Sequence, residues 1–208
     1  AQDRALNATA AAAKLPVERI RLHSLPLGGG FGRRLADDGM APAVATALAV
    51  GKPVKFFWKR EDEFARGWYR PTQMARLRAG LDADGNVVAL HARVAGPSLW
   101  TEFLAAPLRP GQPDGASVQN LADQRYRFPA LKVDHALRHY AIPMAPWRAV
   151  GATHNAFFLE SFLDEIAQAT RQDPVALRRT LLAHDARALR VIDAAAEASN
   201  WSAPPPKG

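Results

Sequence analysis

Two stretches of this chain carry residue types able to hold an anionic or oxygen-rich group. The first is Pro26-Leu27-Gly28-Gly29-Gly30-Phe31-Gly32-Arg33-Arg34. Glycines lack the Cβ that keeps a ligand away from the main chain, and successive N–H groups ahead of a helix form an anion-binding nest. Arg33 and Arg34 add positive charge. The spacing is not the GxGxxG of a dinucleotide fold, and no Gly-Lys-Ser/Thr follows as in a P-loop. A plain strand-to-helix turn uses the same residue types. The second stretch is Trp147-Arg148-Ala149-Val150-Gly151-Ala152-Thr153-His154-Asn155, where a proline-rich entry, an arginine and a glycine open a helix. Helix N-termini favour negative charge. The plainer alternative is an ordinary helix entry with a solvated arginine.

Other constellations are weaker. Glu160 and Asp164 are four apart and share a helix face. A general acid/base pair would need one of them desolvated, and an arginine-paired or solvated face is the simpler reading. His135 and His139 have the spacing of helical zinc ligands, but LKVDHALRHY alternates as a strand, which separates them. No metal ligands are assigned. His23, His91 and His184 stand in no constellation, and no GxSxG elbow occurs. The sequence holds no cysteine, which excludes disulfides, thiolate metal sites and a cysteine nucleophile.

The elements that must position these residues follow from pattern. The 208 residues, 48% hydrophobic and 23% charged, have ordinary globular composition. A helix over Ala5–Lys14 is followed by alternation in Val17–Leu25, which predicts a strand. Asp37 or Asp38 would cap a helix from Met40 to Val50, apolar on every face and so expected to be buried. Val54–Trp58 reads as a short strand and Arg60–Arg66 as a charged helical turn. Gln73–Leu81 and Asn86–Val94 form a hairpin about Asp82-Ala83-Asp84-Gly85-Asn86. Gly96–Pro129 lacks periodicity and reads as a long loop, either facing a partner or shortened from something larger. Leu131–Arg138 is a further strand. Helices follow from Thr153 or Asn155 to Thr170, from Asp173-Pro174, and from Asp185. The fold class is α+β, with mixed or antiparallel strands, packed helices and a helical C-terminal part. Residues 1–200 form one region and 201–208 a proline-rich tail; the opening reads as cut from a longer chain. No apolar run reaches the length of a membrane helix. The net charge of +7 attracts anions, but its arginines are scattered, which argues against a nucleic-acid groove.

Taken in order, LPLGGGFGRR, KREDEFARGWYRPTQ, YAIP, PWRAVGATHNAFFLESFLDEIA and QDPVALRRTLL resemble the molybdenum hydroxylase large subunit. This is the xanthine oxidase and aldehyde oxidoreductase superfamily, and the isoquinoline 1-oxidoreductase beta subunit, grouped with bacterial membrane-associated aldehyde dehydrogenases, is its most similar branch. The resemblance runs from Val17 to Asn200. It implies that the chain is an internal fragment of a molybdopterin-binding subunit, the cofactor plain or in its cytosine dinucleotide form. Phe31 and Gly32 would offer N–H groups to the cofactor's oxygen ligands, with Gly28, Gly29 and Gly30 allowing close approach and Arg33 beside them. Trp147, Arg148 and Gly151 would frame the same region.

The reaction so implied is oxidation of an aldehyde or N-heterocycle with oxygen drawn from water, the electrons leaving through [2Fe–2S] clusters on a small partner subunit. The absence of cysteine agrees with clusters held elsewhere. There are departures. The Gly-x-Gly-Glu motif that carries the family's base does not occur, so no catalytic residue is assigned and the fragment by itself is expected to be inactive. Leu35 stands where many relatives have a glutamate, which disfavours a purine substrate, and His154 where others have glutamine. A non-catalytic binding module without cofactor is the alternative.

Overall fold

The computed structural model describes residues 2–203. Along the chain the elements are α1 (Gln2–Ala13), α2 (Met40–Val50), α3 (Arg60–Arg66), β1 (Met74–Leu81), β2 (Val87–Gly96), α4 (Leu99–Glu102), α5 (Gly115–Val118), β3 (Ala130–Leu137), α6 (Ala152–Thr170), α7 (Pro174–Leu181) and α8 (Ala186–Ala198). They fall into two compact units. The first takes in residues 2–71, 99–106 and 140–150, and the second 72–98, 107–139 and 151–203.

The second unit is built on the expected hairpin. Asp82 Oδ1 accepts the N–H groups of Asp84 (3.0 Å) and Asn86 (2.8 Å), and Gly85 takes the positive φ the turn requires, +81°. β1 then pairs antiparallel with β2, and β3 joins β2 in parallel, giving the order β1-β2-β3. Strand alternation sends Leu90, Ala92 and Val94 to the buried face. There they meet Leu159, Leu163 and Ile166 of α6 and Leu177 and Leu181 of α7, with Leu121 and Phe128 completing the core. Each buried leucine contributes about 1.5–3 kcal/mol. Asp173, followed by Pro174, accepts the N–H of Ala176 at 2.8 Å, and Asp185 accepts those of Arg187 and Ala188, so both caps lie where the sequence puts them. The fold is α+β with a mixed sheet and a helical C-terminal part.

Several expectations need correction. Val17–Leu25 opens with a 3-10 turn at Val17–Arg19 and continues without a strand. Alternation favours an extended chain, but a strand also needs a neighbour to bond, and among the described residues it has none. The same holds for Val54–Trp58. The helix α2 packs on α1 but has no buried residue; Leu48 is 66% exposed. Its N-cap is Gly39 rather than an aspartate, since the helix begins at Met40, and Asp38 pairs with Arg33 instead. The stretch 96–129 is not a loop standing off the surface. Pro97, Ser98, Asp114, Ser117 and Leu121 are among the most buried side chains of the chain, and α4 and α5 lie within it.

Of the expected tail, residues 204–208 lie outside the described residues, while Trp201 Nε1 donates to Asp173 Oδ2 at 2.8 Å. Among the described residues no helix is long and apolar enough to cross a membrane.

Candidate functional site

The two glycine-bearing stretches meet in the first unit. Gly32 has φ +75°, and a Cβ built on it would lie 2.5 Å from the carbonyl oxygen of Pro146 and 2.9 Å from the Cα of Trp147. No larger residue fits that approach without moving backbone. Phe31 also has a positive φ, +51°, and its ring folds back over Gly29, whose own φ is +120°. The Arg148 guanidinium lies 5.9 Å from the centre of the Phe31 ring, within cation–π range. Gly28 and Gly30 tolerate a Cβ; the nearest atom to the latter's is Arg34 Cβ at 3.5 Å.

The opposite wall is strained. Ala149 and Val150 follow one another at φ +66° and +42°, a conformation rare for any residue with a Cβ and more so for a β-branched one. The Val150 N–H bonds the Trp147 carbonyl at 2.8 Å. Arg70 Nη1 donates to the carbonyls of Arg148 (3.2 Å) and Val150 (3.4 Å), holding the bend from below. The segment bearing Arg70 is fixed in turn: the Tyr69 N–H donates to the Pro143 carbonyl at 3.0 Å and its carbonyl accepts the Ala145 N–H at 3.1 Å, beside buried Met144 and Ala145. Sequence reasoning does not single out Arg70. A signal is present in the Tyr-Arg-Pro of the second motif, but nothing in sequence says which carbonyls an arginine will reach.

Arg33 turns away from the glycine run. Its Nη atoms donate to both oxygens of Asp38, at 3.1 and 2.9 Å, and its Nε lies 3.6 Å from Glu63. Gly151 belongs to the second unit, where a Cβ on it would meet the Ala116 carbonyl at 1.9 Å. One turn on, fully buried Asn155 donates to the carbonyls of Ser117 and Gln119, each at 2.8 Å.

The donor inventory of the corner suits an acceptor-rich group. Among the described residues, no hydrogen bond involves the main-chain N–H of Phe31 or Gly32. Trp147 Nε1 is buried and has no acceptor. Buried donors are nearly always satisfied, so the Trp147 indole N–H and the two unbonded amides are donors available to an oxygen-bearing group.

The remaining candidates are structural. Arg178 donates from Nε to Glu160 (2.9 Å) and from Nη1 to Asp164 (2.7 Å), so both carboxylates are paired with one arginine. Burial works to lower the Arg178 pKa, but the hydrogen bonds of Asp164 and Glu160 outweigh it and raise it. Tyr126 donates to Glu160, and its phenol is pushed up by burial and by that carboxylate. His135 accepts the Asp114 N–H at Nδ1 (3.4 Å) and donates from Nε2 to the Gly96 carbonyl (3.2 Å). That ties it into the fold through both ring nitrogens. Among the described residues no group of three His, Cys, Asp or Glu could hold a metal ion.

A family model described as molybdopterin cofactor-binding domain matches residues 2–182. The chain belongs to that family. It is 30% identical over 191 residues to the isoquinoline 1-oxidoreductase beta chain of Brevundimonas diminuta, a match covering 88% of this chain and 24% of the relative. It is 32% identical over 184 residues to a membrane-bound aldehyde dehydrogenase of Gluconacetobacter polyoxogenes, covering 84% and 23%. Among solved structures, quinoline 2-oxidoreductase from Pseudomonas putida 86 superposes with a TM-score of 0.72 at 20% identity, over 96% of this chain and 27% of that one. Aldehyde oxidoreductase from Desulfovibrio gigas gives 0.61 at 19% identity, over 84% and 19%. These superpositions speak to the fold. The chain thus spans about a quarter or less of the length of these two relatives. The molybdenum hydroxylase resemblance read from the motifs is borne out.

Proposed function

We propose that this chain is part of a molybdopterin-dependent oxidoreductase that oxidises an aldehyde or N-heterocyclic compound with oxygen taken from water. The observation that carries the reading is the close approach of Gly32 to the Pro146 and Trp147 backbone, in a turn where the Phe31 and Gly32 amides make no hydrogen bond among the described residues. When bound, the molybdopterin cofactor supplies the two-electron redox chemistry.

The chain's own residues bind and orient. The Phe31 and Gly32 amides are fixed donors for oxygen atoms that carry negative charge, and fixed donors need no reorganisation as that charge changes. Trp147 Nε1 offers a third donor, Gly28 and Gly30 leave the main chain bare of side chains, and Gly29 makes room for the Phe31 ring. Arg148, over the Phe31 ring, adds positive charge on the same side. Arg70 holds the strained bend, and Arg33, paired with Asp38, pins the start of the turn rather than reaching for a ligand. Gly151 lets the second stretch enter α6 against Ala116. The same proposal includes the cytosine dinucleotide form and a small [2Fe–2S] partner, both resting on the family resemblance. Proton abstraction is not assigned to this chain.

The test is molybdenum content of the protein purified from cofactor-producing cells, for wild type, Gly32→Val and Gly51→Ala. Gly51 ends α2 with open space around it. Loss of metal in Gly32→Val with retention in Gly51→Ala is expected; equal metal in all three refutes the assignment.

A further inference from the structure

The outer face of the three-stranded sheet is basic and incompletely neutralised. The register sets Arg76 of β1 opposite Arg93 of β2, and Arg78 opposite His91. It sets His91 opposite Lys132 of β3, and Arg93 opposite Asp134. Like charges placed directly across strands raise the energy of the folded sheet. Asp134 answers part of this: its Oδ2 lies 2.7 Å from His91 Nε2 and 2.9 Å from Arg93 Nη2, and its Oδ1 lies 3.9 Å from Lys132. The His91 hydrogen bond, then that of Arg93, holds its carboxyl below the ordinary range. Arg76 and Arg78 are exposed and, among the described residues, have no carboxylate within ion-pair distance. A hollow of about 60 Å³ lies between Arg76, Arg78, His91 and Arg93. That is room for roughly two waters, or one carboxylate head.

We propose that this face docks an acidic segment of a partner protein, whose carboxylates bridge Arg76, Arg78 and Arg93 in the way Asp134 already bridges Arg93, His91 and Lys132. Charge complementarity selects the occupant. The chain's own carboxylate shows that the face accepts this chemistry, and the guanidinium fork matches a carboxylate in two-point contact. Nucleic acid is disfavoured by size and composition. Three strands about 4.8 Å apart and two outward rows about 7 Å apart give a patch far shorter than a backbone-tracking groove. These outward positions also carry no Phe, Tyr or Trp on which a base could stack. The inference lies wholly in the second unit and is independent of the cofactor reading.

The experiment is fluorescence anisotropy of a labelled octaglutamate peptide, read at about 10 mM salt, where the Debye length is roughly 30 Å. The proteins are wild type, the double variant Arg76→Gln/Arg78→Gln, and a control that removes the same charge from α8, Arg187→Gln/Arg190→Gln. The sheet variant is expected to bind about tenfold or more weakly, and the control within about twofold of wild type. Asp134→Asn, which frees Arg93 and Lys132, is expected to bind the peptide more tightly. Equal weakening in both double variants would show a net-charge effect and overturn the proposal. So would absence of peptide binding, weaker binding by Asp134→Asn, or tighter binding of an oligothymidylate of equal charge.

Discussion

Gly32→Ala is the sharpest test of the corner, because its cost has two parts and another glycine of the chain isolates the first. A residue with a Cβ held in the left-handed region costs about 1–2 kcal/mol. Gly51 carries this part by itself: its φ is +66° and its ψ +24°, and nothing lies within 4 Å of a Cβ placed there; Gly32, at φ +75° and ψ −37°, lies outside that well and costs at least as much. Gly32 carries a second part. Its Cβ would stand 2.5 Å from the Pro146 carbonyl oxygen, a backbone atom, so main chain must move, and overpacking of that kind costs about 1–3 kcal/mol. Gly32→Ala is therefore expected to lose roughly 2–5 kcal/mol and Gly51→Ala roughly 1–2. At about 2–4 °C per kcal/mol for a chain of this size, the melting temperature falls by roughly 4–20 °C and 2–8 °C respectively. Gly30→Ala, whose nearest contact is an ordinary 3.5 Å, is expected to melt no lower than wild type. Thermal denaturation of the three variants side by side reads the difference. If Gly32→Ala melts no lower than Gly51→Ala, the turn does not press against Pro146 and Trp147, and the reading of the corner fails.

Three further outcomes follow from the second unit. Leu163→Ala, at a side chain with no exposed surface, is expected to lower stability by about 2–5 kcal/mol in urea unfolding with an unchanged m-value. Arg178→Ala removes the donor shared by Glu160 and Asp164 and is expected to cost about 1–3 kcal/mol, while Arg178→Lys recovers only part of it because one ammonium cannot reproduce the fork. Asp185 is held below its ordinary 3.8, first by the Ala188 N–H and then by Arg125, so its contribution is complete above that value and disappears as the pH drops through the depressed one. Asp185→Asn keeps a capping oxygen without the charge, so its urea midpoint should fall less steeply than wild type between about pH 5 and 2; parallel curves would refute the linkage.

The second unit is legible in sequence because its signals are local and its partners are near in the chain. The Asp82–Asn86 turn sets the hairpin, aspartates announce α7 and α8, and alternation in β2 sends Leu90, Ala92 and Val94 to α6. The parallel pairing of β3 with β2 has no sequence signature, since it depends on the path of residues 97–129. That path lacks periodicity and so carries no sign of order. It is held by point contacts instead: Asp114 caps α5, and Ser117 Oγ lies within hydrogen-bond distance of both the Pro97 carbonyl (3.1 Å) and Asp114 Oδ2 (3.2 Å). In the first unit the local patterns mislead. Val17–Leu25 and Val54–Trp58 carry strand-like composition without a neighbour to pair with among the described residues. Helix α2 carries a core-like composition on an exposed surface. Hydrophobic pattern states what a segment needs, and only the rest of the chain states whether the need is met.

The candidate site divides along the same line. A glycine run tells that main chain must come close to something, but not which glycine bears the constraint. The answer depends on φ and on a neighbour more than a hundred positions away. Gly28 and Gly30 tolerate a Cβ, whereas Gly32 does not, and the difference is Pro146. The strain at Ala149 and Val150 is likewise invisible in residue types that carry no glycine signal. It persists because Arg70 ties the carbonyls of Arg148 and Val150 to a segment that Tyr69 anchors to Pro143 and Ala145. A backbone conformation worth about 1–3 kcal/mol of strain per residue survives where its surroundings over-determine it. Here the same bend includes Trp147, which with Pro146 meets the turn at Gly32. The geometry that would bind a ligand is thus held by residues that need not touch it, and substitutions at Arg70 or Pro146 should act on the corner as surely as substitutions in the glycine run.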